Sequence, residues 1–158
     1  MAFEEHASVA KVVWGSYFAV GASTSEPLAD PSIDVFDNVS EVVEGTPPNE
    51  QGETAEVTHW GSPDRTKEFI AALIDAGEAT IRCNWNPENY DNHRRIVQLK
   101  KSGQKRNMRF VLTEGMETID FPGFVKGIGR VMGGAGEPIT ADVTIQVAGA
   151  VVSDRETT

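Results

Sequence analysis

Six segments alternate apolar and polar side chains with a period of two, and glycines, prolines or short polar runs separate them. Each is therefore expected to be a strand with one face to bury, and together they demand a sandwich or a curled sheet. "GSYFAVGA" (15–22) alternates around Tyr17 and Phe18. "SIDVFDNVSEVVEG" (32–45) sets Ile33, Val35 and Val39 against Asp34 and Asp37. In "EATIRCNW" (78–85), Ala79, Ile81 and Cys83 share a face, which makes Cys83 a small inward residue rather than a nucleophile. "RNMRFVLTE" (106–114) buries Met108, Phe110 and Leu112. "TIDFPGFVKGIGRVM" (118–132) reads as an edge strand kinked at Pro122-Gly123, and "ITADVTIQVAGAVV" (139–152) as a long strand carrying Val143, Ile145 and Val147 inward.

Other segments break the pattern. "EGTPPNEQGETAEVTHWGS" (44–62) offers almost nothing to bury, so 44–56 is expected to be a projecting loop. After it, Ser62 can cap a helix, Pro63 suits its first turn and Asp64 opposes its dipole. Phe69, Ile70, Leu73 and Ile74 then make one apolar stripe, and Gly77 follows, which predicts a three-turn helix packed on a sheet. A short irregular second helix is expected within 86–103, with Ile96, Val97 and Leu99 as its apolar residues and its end near Gly103. The fold class expected is thus mainly β, a sandwich or half-barrel with one flanking helix and a short second one.

At 158 residues the chain has the size of one domain, expected over 1–152 with 1–14 as an N-terminal arm and 153–158 as a frayed tail. Its one cysteine cannot form an internal disulfide, so stability must come from packing or assembly. The first fifteen residues, with acids at Glu4 and Glu5, do not resemble a secretory signal, and no apolar run is long enough for a membrane anchor.

Charge is unevenly placed. The net charge of −10 opposes tight binding to nucleic acid. Residues 1–60 hold eleven acids and a single base, Lys11, whereas 61–158 hold thirteen of each. Within 93–110 lie Arg94, Arg95, Lys100, Lys101, Lys105, Arg106 and Arg109 and no acid. The first six form a candidate inter-subunit basic face that could dock head to tail on the acids of a second copy.

Catalytic chemistry is hard to find. His6, His59 and His93 lie in separate segments without metal-ligand spacing, and "GIGRVMGG" (127–134) leads into Pro138 and a strand instead of a helix. No catalytic, metal or cofactor residue is assigned. Glu114 and Glu117 are an unremarkable pair among 24 acids. Trp60 and Trp85 could stack on sugars, which leaves a carbohydrate-binding sandwich as the alternative, although burial against the helix is the plainer role.

The acidic arm, "EVTHWGSPDRTKEFIAALIDAGEATIRCNWNPEN" (56–89), the basic helix, "MRFVLTEG" (108–115), "IDFPGFVKGI" (119–128) and the closing "ITADVTIQVAGAVV" together resemble the tail tube proteins of long-tailed, non-contractile bacteriophages. The resemblance lies in the order of these segments, most strongly over 54–128. It implies a structural, non-enzymatic virion subunit made in the host cytoplasm. Six copies would close into a ring whose inner strands form one barrel, and rings would stack into a tube for double-stranded DNA. It implies no cofactor; some relatives append an immunoglobulin-like domain, and none is expected here because the domain pattern stops near 152. Its implied partners are further copies of itself, a tape measure inside the tube, and tail-tip and terminator proteins at the ends. On that view Glu44, Thr46, Pro47, Pro48, Asn49, Glu50 and Glu53 are candidate inter-ring contacts.

Overall fold

A computed structural model describes residues 14–25, 27–61, 66–75 and 77–154. Its main sheet runs β2 (Phe36–Asn38), β1 (Tyr17–Gly21), β7 (Arg106–Leu112), β8 (Glu117–Val131), β9 (Thr140–Val147), β6 (Glu78–Asn84) and β3 (Val42–Thr46), and a short β10 (Val152–Ser153) joins β8. All pairings are antiparallel. The two ends of this path, β2 and β3, are consecutive in sequence. A flat sheet of seven strands would part them by about 29 Å, which the three residues between them could not bridge. The sheet therefore curls until β3 lies beside β1, and the half-barrel expected from the alternation results. Glu41, at φ 56°, makes the turn between its ends.

Inside the curl, Phe18 meets Phe110 in a tilted contact at 4.8 Å between ring centroids, and Phe110 stacks on Phe121 at 6.0 Å. Val20, Ala79, Ile81, Cys83, Met108, Val125, Val143 and Ile145 complete the buried face. The expected inward residues of β6, β7 and β9 are buried, except that Leu112 and Val147 are only partly covered. Segment 32–45 differs from expectation. Ile33 and Val35 lie exposed in the connection before β2, and the run splits into β2 and β3 at opposite ends of the sheet. Residues 153 and 154 are not frayed either, since Asp154 N–H donates to Thr118 O at 3.0 Å.

β8 is central, not an edge strand. Its first half pairs with β7 and its second with β9. Pro122 is tolerated because its carbonyl, accepting from Ala148 N–H at 2.8 Å, faces the interval between β9 and β10, and its nitrogen faces the same way. No ladder bond is lost there. At Gly123 a Cβ would stand 2.8 Å from Gln146 O, so β9 crosses too close for any side chain.

The helix expected from Phe69, Ile70, Leu73 and Ile74 is instead strand β5 (Phe69–Asp75), paired with β4 (Gln51–Glu56) in a separate two-stranded ribbon. Their backbone groups find partners across the ribbon, which a lone apolar stripe in sequence cannot disclose. Ser62, Pro63, Asp64 and Arg65 lie outside the described residues. The one α-helix among the described residues, α1 (Asp91–Ser102), is the second of those expected and is regular over 12 residues. It buries His93, Ile96 and Leu99 against the sheet, and Gly103 at φ 67° closes it by donating to Leu99 O.

Candidate assembly surfaces

The 44–56 segment is not a loop. Glu44 and Thr46 belong to β3, Pro47, Pro48, Asn49 and Glu50 form the connection, and Glu53 lies at a bulge in β4. Together with β5 they make a ribbon arm. Val57 N–H donates to Glu68 O and Glu68 N–H to Thr58 Oγ1, both at 2.8 Å, and so extend the arm beyond its ladder. Its acids Glu50, Glu53 and Glu56 are exposed. So are Phe69 and Ile70, at 57% and 54%, which rules out the helix-packing role expected of them. Successive strand residues point to opposite faces, so apolar surface is exposed on both sides of the ribbon. Leu73 and Ile74 continue the strand, with Ile74 opposite Gly52, and their side chains lie outside the described set. An isolated two-stranded ribbon is marginal in water, and this one forms no ladder with the main sheet. Trp60, near its tip, is fully exposed and not buried against a helix.

The expected basic face divides in two. Arg94 pairs with Asp91 in α1, and Arg95 Nη1 with Asp37 Oδ2 at 2.8 Å. Arg106 turns inward, with Nη1 donating to Gly21 O at 3.1 Å and Nη2 to Gln104 Oε1 at 3.2 Å. Burial, and then Arg95 nearby, lower its pKa. Those three arginines are committed within the subunit. Lys100, Lys101 and Lys105 remain exposed, without a carboxylate partner among the described residues.

Outward residues of β3, β6 and β9 form a charge-matched strip. Arg82 lies between Asp142, 2.8 Å from its Nε, and Glu44, 3.6 Å from Nη1, and these two acids raise its pKa. Lys126 pairs with Glu78 beside them. On the other flank, the 22–35 connection is pinned to β7. Asn107 Nδ2 donates to Ala29 O at 2.8 Å and Asp34 Oδ2 at 3.0 Å. Arg109 meets Asp120 at 2.6 Å and Pro31 O at 3.2 Å, and its guanidinium lies 4.0 Å from the Phe36 ring centroid.

The model of the lambda phage tail tube protein family matches residues 19–153, nearly the whole described fold. The chain belongs to that family. A phage tail tube protein is a structural virion component and not an enzyme. A comparison with curated protein sequences finds no match. Among solved structures, the tail of an empty gene transfer agent particle, refined with C6 symmetry, is similar at TM-score 0.64 and 14% identity over 90% of this chain and 98% of that one. The tube-terminating cap of the anti-feeding prophage is similar at TM-score 0.67 and 11% identity over 96% and 95%. The sheath-tube complex of an extracellular contractile injection system matches at 0.66 and 11%, over 92% of each chain. The fold is thus shared with contractile machines.

Cys83 is buried, and that burial, together with Asp142 and Glu41, pushes its thiol up to about 11, so it is un-ionised at neutral pH. Among the described residues no three His, Cys, Asp or Glu side chains are grouped to hold a metal, and no helix is long and apolar enough to cross a membrane. Trp85 stacks on His93 with centroids 4.9 Å apart and planes 6° from parallel, so a ring that could face a sugar is engaged in the fold. Sequence reasoning missed the structural roles of His93, which bonds the distant Ser40 O, and of Asn107, whose partners Ala29 and Asp34 lie far away along the chain.

Proposed function

We propose that this protein builds the hollow tube of a non-contractile phage tail, as stacked six-membered rings through which double-stranded DNA passes to the host. One observation carries the stacking: an arm with apolar side chains on both faces stands outside the barrel, where one subunit leaves it uncovered. Glu44 and Thr46 at its root, the connection Pro47, Pro48, Asn49 and Glu50, and Glu53 in β4 are the inter-ring contacts. The sixfold number draws support from the symmetry of the similar gene transfer agent tail, and the non-contractile assignment from the lambda phage family model. Within a ring, inner strands of neighbouring subunits join in one barrel. Lys100, Lys101 and Lys105 face acids of a neighbour. The domain spans 1–152, with 1–14 as a second arm.

Charge fits this use. Six copies carry about −60 in total, which repels phosphate and keeps DNA from adhering as it moves. A tape measure within the tube and tip and terminator proteins at its ends are the further partners, and synthesis is in the host cytoplasm. Deleting Pro47–Glu53 tests the latch. The variant should keep the barrel's cooperative melting and form no stacked tubes in electron micrographs. Normal tubes from the deletion would refute the role.

A further inference from the structure

Lys100 and Lys101, in the last turn of α1, and Arg130, near the end of β8, line a hollow of about 290 Å³ whose other walls are Val97 and Ile128. No acid lines it. Among the described residues elsewhere on the barrel, Arg82 is matched by Asp142 and Glu44, Arg94 by Asp91, Arg95 by Asp37 and Lys126 by Glu78, while Lys105 stands exposed without a carboxylate and outside the hollow. The two lysines suit the negative end of the helix dipole. That argument does not reach Arg130, whose guanidinium stands 5.7 Å from the Trp85 ring centroid. Three cations around one hollow repel each other, and an arriving carboxylate relieves the repulsion.

The complementary charge is on the same molecule. Glu53 and Glu56 of β4 are exposed, and no ion pair joins them to these cations within one subunit. We infer that the hollow between α1 and β8 is the seat for Glu53 and Glu56 from the arm of a second copy, with Val97 and Ile128 receiving apolar surface of that arm. Arg130 lies outside the basic segment visible in sequence and gives the seat its third charge. The inference rests on the tube-subunit reading and names which surface takes the arm.

The test is carbodiimide coupling of wild-type protein at assembling concentration, mixing isotopically light and heavy chains so that only inter-copy links are scored. Links from Lys100 or Lys101 to Glu53 or Glu56 are expected in tubes and not in dilute monomer. Tubes whose lysines couple only to other acids would overturn the inference while leaving the subunit reading intact. Failure of the wild type to assemble even on preformed tube ends would defeat both. In parallel, Lys100→Glu, Lys101→Glu and Arg130→Glu together should raise the concentration needed for tubes by about tenfold or more. Adding Glu53→Lys and Glu56→Lys to the same chain should restore it. Assembly of the triple variant at the wild-type concentration would overturn the seat. Protection of the lysines from coupling by a short DNA duplex, without inter-copy links, would reassign the hollow to phosphate.

Discussion

His93 Nε2 donates to the carbonyl of Ser40 at 2.8 Å, across 53 positions of chain, while its Nδ1 accepts from Asn86 N–H at 3.1 Å. One neutral imidazole thus ties the start of α1 to the turn between β2 and β3, where the curled sheet closes. Its ring lies flat on Trp85 and edge-on to Tyr90. Replacement by Ala removes the partner of the part-buried Ser40 O and Asn86 N–H and opens a cavity where the buried ring stood. His93→Ala should cost about 3 kcal/mol of stability, read from denaturant unfolding of the dilute protein. A change below about 0.5 kcal/mol would contradict the role assigned to the ring.

Cys83 makes the barrel sensitive to alkali. Its thiol ionises near 9.0 when unfolded and about 11 when folded, so between those values the unfolded state holds fewer protons and stability falls as pH rises. About 2 kcal/mol should be lost across that window, and Cys83→Ala should flatten this part of the profile. Rapid labelling of the native thiol at neutral pH would show that the burial is wrong.

Gly123 and Gly127 share one strand and differ in surroundings. A Cβ at Gly123 meets Gln146 O at 2.8 Å and Ile145 Cγ2 at 3.0 Å, whereas none at Gly127 meets anything within 4 Å. Gly123→Val should therefore destabilise by about 2 kcal/mol or more, and Gly127→Ala by less than about 1 kcal/mol. Equal melting shifts for the two would indicate that β8 and β9 do not approach as described.

Phe69 and Ile70 contribute little to the isolated subunit. Changing both to Ser should move its unfolding free energy by less than about 1 kcal/mol while abolishing tubes. A large loss of monomer stability would place these side chains in the barrel core.

The central strands were legible because period two fits residues such as Ile81, Phe110 and Val143, each buried as its position in the alternation requires. Segment 66–76 was not. Phe69, Ile70, Leu73 and Ile74 satisfy a helical stripe, and a short apolar run does not reveal that an acidic, almost apolar-free strand, β4, is its partner. Pro122 suggested an edge because the interval between β9 and β10 that accommodates it is a tertiary feature. For the assembly surfaces, the sequence revealed a basic cluster but could not tell Arg94, Arg95 and Arg106, committed within the subunit, from Lys100 and Lys101. Arg130 was obscured by the glycines around it.

The most direct test of the whole account is electron microscopy with helical reconstruction of the concentrated wild-type protein, supplied with preformed tube ends as nuclei. Hollow tubes of stacked sixfold rings are expected, with the ribbon arm of each subunit seated on a copy in the adjacent ring. Monodisperse monomers at every concentration, even with those nuclei present, would contradict it.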